Sequence, residues 1–255
     1  MSLAPPSPLP WLEPGQPFPP VDQAWGPNDP APGLLAAGGV LDVETLISAY
    51  SKGIFPWYGE GQPILWWCTD PRMVLDPLEF KLHRSLRKTL RKLLREQRIE
   101  IRMNHSFDRV IRHCAQVPRN GQTGTWILPA MVQAYTRLNR AGIAHSVETW
   151  IDGELAGGLY CINLAGTIFG ESMFAKSPDA SKMALAALVA FARTHHLPVI
   201  DCQQDTPHLA SLGARPISRQ DFVRRMRQAS HLRSPRWHFD PVYWSKLLPP
   251  STDQA

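Results

Sequence analysis

The clearest periodicity in the chain lies between residues 82 and 98. At about 100° per residue, Leu82, Leu86, Leu90, Leu93 and Leu94 fall on one side of a helix, and Arg84, Arg87, Lys88, Arg91, Lys92, Arg95 and Arg98 on the other. A shorter helix is predicted over 41–50, with Asp42 as N-cap and Leu46, Ile47 and Tyr50 sharing a face. Gly53 is placed to end it. Further helices are expected over 104–116, with Phe107, Val110, Ile111 and Cys114 apolar, and over 129–140, ended by Gly142. The period then changes from helix to strand. Residues 145–151 and 154–162 read as two strands joined at Asp152-Gly153, a strong hairpin turn, and 167–169 as a third. A largely apolar helix, hence a buried one, runs from a cap at Ser177 or Asp179 to His195. Residues 199–203 return as a short strand, whose alternation sends Asp201 and Gln203 to one side and Cys202 to the other. Ser218 opens the last helix in a capping-box-like arrangement. The order β-β-β-α-β-α predicts an α+β fold: a mixed sheet with helices, preceded by a smaller region.

Composition sets that smaller region apart. Of the 25 prolines, 11 fall in the first 33 residues, so 1–32 reads as an extended, partly disordered lead-in. Its apolar Trp11 and Phe18 are candidates to dock on the body. Residues 33–76 form a small N-terminal domain, with the boundary near Pro77, then 77–235 the main domain and 236–255 an irregular tail. Trp57, Trp66 and Trp67 crowd into eleven residues of the small domain, as core or as the walls of a pocket. The chain of 255 residues is 44% hydrophobic and 19% charged, which fits a soluble globular protein. No run of about 18 apolar residues would span a membrane. Four scattered cysteines without a C-x-x-C pair fit a reducing cytoplasm, and no secretory signal is visible.

Charge changes the picture more. No Lys or Arg precedes Lys52, and from there on 27 basic residues face 17 acidic ones. The basic side of 82–98 meets no acid until Glu96, which fits phosphate binding with a steep salt dependence better than a plain solvated face or a membrane surface. There is no G-x-x-x-x-G-K followed by Ser or Thr, no strand leading into G-x-G-x-x-G and no H-E-x-x-H. The sequence therefore offers no ATP, dinucleotide or zinc site, and implies no metal and no cofactor. What it does offer is Glu171, Asp201 and Gln203, each at or near the end of a short apolar strand beside a loop. Polar groups in such places are either held by backbone donors or belong to a site, and both readings stay open. Alternation turns Cys202 away from Asp201 and Gln203, against a thiol nucleophile. Two carboxylates, aromatic walls and a basic helix fit acyl transfer from an already activated donor to an amine. An acyl-CoA N-acetyltransferase and a non-enzymatic RNA-binding module are the rival readings. The first lacks a Gly-rich pyrophosphate loop ahead of the buried helix.

The motifs Gly33-Leu-Leu-Ala-Ala-Gly-Gly39, Ala49-Tyr50, Gly53-Ile-Phe-Pro-Trp57, Trp66-Trp67, Asp70-Pro-Arg72 and Thr125-Trp-Ile127 occur in that order. They are followed by Ala144-His-Ser-Val-Glu148, Gly157-Gly-Leu-Tyr160, Gly170-Glu-Ser-Met-Phe174, Ala180-Ser-Lys182, Ile200-Asp-Cys-Gln203 and Ser211-Leu-Gly-Ala214. Over about residues 33–225 this set resembles the bacterial leucyl/phenylalanyl-tRNA–protein transferases. The resemblance implies a small N-terminal domain followed by an acetyltransferase (GNAT)-like mixed-sheet domain in a cytoplasmic monomer. It implies transfer of Leu or Phe, sometimes Met, from aminoacyl-tRNA to proteins with N-terminal Arg or Lys, which creates an N-degron. Carried over by motif, Glu171, Asp201 and Gln203 look like the catalytic residues. Trp57, Trp126, Phe169, Gly170 and Met173 look like the aminoacyl and adenosine pocket, and Arg84, Arg87, Lys88 and Arg91 like the tRNA contact. Two routes are then open for the proton of the attacking amine. Gln203 polarised by Asp201 takes it, or Glu171 and Asp201 orient the amine while an adenosine hydroxyl shuttles it. The sequence departs from the family at Trp67-Cys-Thr-Asp70, where Ser-Pro commonly follows the Trp pair, and at Cys161, where Gly is common.

Overall fold

The structure, a computed structural model, describes residues 8–117 and 127–248. The small domain is a four-stranded sheet with one helix. It contains β1 (Trp11–Leu12), β2 (Leu34–Gly38), α1 (Val43–Ser51), β3 (Phe55–Pro56) and β4 (Leu65–Trp67), with sheet order β1-β2-β4-β3. Asp42 caps α1 as predicted, accepting from the Thr45 N–H at 2.7 Å, and Leu46, Ala49 and Tyr50 form its buried face. The proline-rich lead-in docks more than its composition suggests. From Pro8 on it supplies β1, which pairs in parallel with β2, and its Phe18 packs edge-on to the buried Trp66 at 4.8 Å. Trp11 stays exposed.

The large sheet has seven strands, ordered β11-β5-β10-β9-β8-β7-β6. In chain order the elements are β5 (Arg72–Leu75), α2 (Arg84–Arg95), β6 (Ile99–Met103), α3 (Phe107–Gln116), α4 (Pro129–Arg140), β7 (Ala144–Ile151) and β8 (Glu154–Leu164). They continue with β9 (Thr167–Ala175), α5 (Ala180–Thr194), β10 (Val199–Gln203), α6 (Pro207–Ser211), β11 (Arg215–Ile217) and α7 (Arg219–Ala229). Every pairing is antiparallel except β9 with β10, the two strands that α5 connects. The fold is the expected α+β arrangement, a small N-terminal domain followed by a mixed-sheet domain. Because β5 already belongs to the large sheet, that sheet begins ahead of Pro77, at Arg72.

Two apolar layers flank the large sheet. On one face lie the small domain, α3, α4 and Phe222 of α7; on the other lie α2 and α5, with Phe239, Trp244 and Leu247. Those last residues belong to the segment expected as an irregular tail, which forms a short 3-10 stretch at Pro241–Lys246 against α5. The buried helix α5 sits so close to the sheet that a Cβ on Gly157 would stand 2.6 Å from that of Ala180. Asp179 precedes α5 in a left-handed conformation and makes no capping bond; its carboxylate instead takes the Lys182 ammonium at 2.7 Å. No helix among the described residues is long and apolar enough to cross a membrane.

Candidate active site

Two bulges build the site. β9 runs on to Ala175, well beyond the expected 167–169. Opposite it, Tyr160 of β8 pairs with Ser172 and Cys161 with Gly170, so Glu171 is an extra residue between them. In β10, Asp201 pairs with Val74 and Gln203 with Met73, which makes Cys202 the extra residue there. A bulge re-aims side chains and ends regular pairing. The ladder between β9 and β10 closes at Phe169 opposite Asp201, and the strands part beyond it.

The parting leaves a pocket of about 500 Å³. Its walls come from both layers, with Phe55, Pro56 and Trp57 from the small domain and Leu185 and Leu188 from α5. Glu171 and Gln203 line it between them. Both are nearly inaccessible. Gln203 Nε2 donates to Glu171 Oε1 at 2.9 Å, Tyr50 Oη donates to the same oxygen at 2.7 Å, and Tyr135 Oη donates to Oε2 at 3.1 Å. Burial pushes the Glu171 carboxyl up to about 7, and the nearby Asp201 charge adds to this against the pull of the three donors. Both tyrosines are held well above their ordinary range, chiefly by burial and then by the Glu171 charge.

Asp201 stands elsewhere than alternation predicts. Gln203 is in the left-handed region at φ 62°, and the bulge at Cys202 breaks the two-residue period. Cys202 and Gln203 both line the pocket, whereas Asp201 does not. Asp201 is fully buried and clamped by Arg72, whose Nε and Nη2 donate to its two carboxylate oxygens at 2.8 and 2.7 Å. Its Oδ1 also accepts the Gln203 backbone N–H at 2.9 Å. Asp201 is thus an ion-paired carboxylate that fixes the Gln203 backbone, with no hydrogen bond to the Gln203 amide group and no free oxygen facing the pocket for an amine. The Arg72 guanidinium lies between the Phe55 and Phe222 rings, 4.7 and 4.6 Å from their centroids. Burial works against its charge, yet Asp201 holds its pKa above the ordinary value. Cys202 faces the pocket after all, but burial and then the Asp201 charge raise its thiol pKa, which keeps it protonated and poorly nucleophilic.

The aromatic wall is only partly where the sequence puts it. Trp57, Gly170 and Met173 line the pocket. Trp57 is steadied by Trp67, whose indole N–H donates to the Trp57 carbonyl at 2.6 Å. Phe169 is fully buried behind the site, edge-on to Tyr50 at 5.1 Å. Trp126 lies outside the described residues. Cys161, the departure from the family pattern, is buried directly across from Gly170. Arg84, Arg87, Lys88 and Arg91 are exposed along α2, opposite its buried Leu86, Leu90 and Leu93. Sequence reasoning missed three members of the site. Tyr50 appeared as part of an apolar face and, like Arg72, within a family motif, neither with a role in the site, and Tyr135 not at all. Among the described residues, no group of three or more His, Cys, Asp or Glu is placed to hold a metal ion.

A buried carboxyl that titrates near neutrality, hydrogen-bonded to an amide in the wall of a pocket between parting strands, suits an enzyme that moves a proton, as acyl transfer to an amine requires. The family described as leucyl/phenylalanyl-tRNA protein transferase matches residues 74–227, and that family's N-terminal domain matches residues 39–70. The leucyl/phenylalanyl-tRNA–protein transferase of Polaromonas sp. (strain JS666 / ATCC BAA-500) is 60% identical over 243 residues, 95% of each chain. That of Albidiferax ferrireducens is 57% identical over 252 residues, 99% of each chain. The solved structure of L-PGS from Bacillus licheniformis is 13% identical, with a TM-score of 0.38 over 80% of this chain and 65% of that one, too low to bear on the argument. The chain belongs to the leucyl/phenylalanyl-tRNA–protein transferase family, and is an aminoacyltransferase.

Proposed function

We propose that the protein acts in the cytoplasm. It transfers Leu or Phe, and in some cases Met, from aminoacyl-tRNA to the N-terminal α-amine of proteins that begin with Arg or Lys. The product carries a new N-terminal residue that serves as an N-degron. The observation that carries the chemistry is the Gln203–Glu171 hydrogen bond inside the pocket. The apolar part of that pocket suits a Leu or Phe side chain, with Trp57, Gly170 and Met173 among its walls.

The reaction is aminolysis of an ester. Gln203 gives its Nε2 hydrogen to Glu171 and so keeps its amide oxygen for an N–H of the attacking amine. A neutral amide is too weak a base to do more, so Gln203 orients the amine. Glu171, with its pKa near 7, exchanges a proton at working pH. As the C–N bond forms, the surplus proton of the amine passes to the Glu171 carboxylate. When the intermediate collapses, the ester C–O bond breaks and that proton goes to the departing ribose oxygen. Asp201 and Arg72 act through the Gln203 backbone as positioning residues, and Tyr50 and Tyr135 hold the Glu171 carboxyl in plane. Arg84, Arg87, Lys88 and Arg91 contact the tRNA backbone. The test is incubation with labelled leucyl-tRNA, unlabelled acetyl-CoA and peptides beginning with Arg, Lys or Ala. Label should appear on the Arg and Lys peptides alone. Acetylated peptide without label would favour the acyl-CoA reading instead.

A further inference from the structure

The hydrogen bonds around Glu171 do not balance while it is charged. Tyr50 of α1, Tyr135 of α4 and Glu171 of β9 are buried together, and their oxygens make three contacts that close on themselves. Tyr50 Oη lies 2.7 Å from Glu171 Oε1, Tyr135 Oη 3.1 Å from Glu171 Oε2, and the two hydroxyl oxygens 2.5 Å from each other. A hydrogen bond between two oxygens needs one hydrogen. Both phenols are held well above their ordinary range, chiefly by burial, so each keeps its hydrogen, and a carboxylate adds none. Two hydrogens then serve three contacts. Either hydroxyl alone would favour the carboxylate. Joined to one another they leave one contact empty, and an unfilled contact between buried oxygens is unfavourable. A proton on Glu171 supplies what is missing. Gln203 does not compete for that place, because its Nε2 donates to Oε1 at 2.9 Å and a carboxyl oxygen accepts two hydrogen bonds.

We propose that Glu171, Tyr50 and Tyr135 form a closed ring of hydrogen bonds that is complete only with a third proton, and that this ring holds the proton that transfer moves. The first part stands on the three contacts, and the second rests on the function proposed above. The complete ring runs in either sense. With the proton on Oε2, Glu171 donates to Tyr135, Tyr135 to Tyr50 and Tyr50 to Oε1. With it on Oε1, all three bonds reverse. The reversal breaks three O–H bonds and forms three, and each phenol ends with one hydrogen. A proton taken up on one carboxylate oxygen can therefore leave from the other without rotation of the carboxyl. The attacking amine gives the proton and the departing ribose oxygen receives it, so the ring starts and ends with two hydrogens. Tyr50 and Tyr135 are positioning residues in this scheme, since they act through Glu171. The charges nearby lie outside the ring. Asp201 of β10, whose charge also favours the neutral carboxyl, is paired with Arg72 of β5. The Cys161 thiol of β8 is pushed well above its ordinary range by burial and then by the Glu171 charge, so it stays neutral. Tyr160 of the same strand packs edge-on to the Tyr135 ring at 5.4 Å.

The experiment titrates Glu171 by NMR in the full chain, isotope-labelled at the glutamate side-chain carboxyl carbon, with Glu171→Gln to assign the resonance. In Tyr135→Phe the neutral form loses two hydrogen bonds of the ring and the charged form one. The count for Tyr50→Phe is the same. The midpoint should therefore fall from about 7 in either variant, by roughly half a unit to one unit, the contribution of one hydrogen bond. In the double variant the neutral form loses three and the charged form two, so its midpoint should fall no further than in a single variant. Hydroxyls that acted only as separate donors to the carboxylate would give the opposite sign. A rise, no shift, or a fall that adds up in the double variant would overturn the ring. If one single variant fails to fold, the midpoint of the other decides. If both fail, the infrared carbonyl band of the neutral wild-type carboxyl, absent from Glu171→Gln, decides. It should lie where a carboxyl hydrogen-bonded through both oxygens absorbs, and the higher frequency of one whose O–H is not donated would overturn the ring. The rising limb of the pH–rate profile for transfer from leucyl-tRNA to an Arg peptide should move to lower pH with the NMR midpoint. A limb that stays in place would overturn the ring's part in transfer. Midpoints that fall as expected, with no transfer by the wild type, would sink the proposed function and keep the ring. Transfer by the wild type with midpoints that rise would do the reverse.

Discussion

Glu171 holds two opposed influences in one carboxyl. Burial favours its neutral form, while Tyr50, Tyr135 and Gln203 all donate to its oxygens and favour the charged one. Burial wins, and the folded chain binds this proton more tightly than an unfolded one, whose carboxyl would titrate near 4.5. Stability should therefore fall as pH rises from about 4.5 to 7, by on the order of 3 kcal/mol. Glu171→Gln removes the titration, so its urea midpoint should lose this pH drift between pH 5 and pH 8. A variant that kept the wild-type drift would assign the proton elsewhere. The wild-type transfer rate should rise through pH 7 as the carboxylate appears, and Glu171→Gln should lose that limb and roughly a hundredfold or more in rate. Arg72 and Asp201 make a different prediction. Arg72→Met strands a buried charge and should cost roughly 3–5 kcal/mol. Adding Asp201→Asn should recover much of it, and a fully additive double variant in urea unfolding would contradict the pairing. Little of this was legible in the sequence. The two partners of the clamp lie 129 residues apart, and nothing local marks Arg72 as anything but the end of Asp70-Pro-Arg72.

At the scale of elements, helices were the easier half. α1, α2, α3, α4 and α5 all occur where leucine, alanine and aromatic spacing places them, because a period of three to four residues survives without knowledge of the partner. The strands fared worse wherever pairing decides them. β6 alternates over only Ile99–Met103 at the sheet edge, too short a run to stand out between two helices. β9 was cut short at Phe169 because Gly170, Glu171 and Ser172 interrupt its apolar pattern, and that interruption is the bulge that aims Glu171. The second bulge hid for the same reason: whether Cys202 faces the pocket depends on register with β5, which alternation within β10 cannot see. The helix α2 allows a separate test. Arg84→Ala with Lys88→Ala should raise the KM for leucyl-tRNA with kcat largely kept. The slope of log(kcat/KM) against log salt should flatten by roughly 1.5, because two phosphates are no longer neutralised. An unchanged slope would take this face out of the RNA footprint.

Across the whole molecule, the site exists only where the two sheets meet. Phe55, Pro56 and Trp57 reach it from the small domain, and Glu171, Gln203, Leu185 and Leu188 from the large one. Charge is divided along the same line, with the basic residues gathered after Lys52 and concentrated on α2. On the proposed function, this division draws a polyanionic donor to the body of the protein. The most direct measurement is single-turnover transfer from pre-charged leucyl-tRNA to a peptide beginning with Arg, for the wild type and for Gln203→Ala at saturating substrates. We expect leucine on the α-amine of the peptide with the wild type. Gln203→Ala should be slower by about tenfold or more, with tRNA binding intact. Equal rates in the two proteins, or no leucine on the peptide with the wild type, would contradict the assignment of transfer to this pocket.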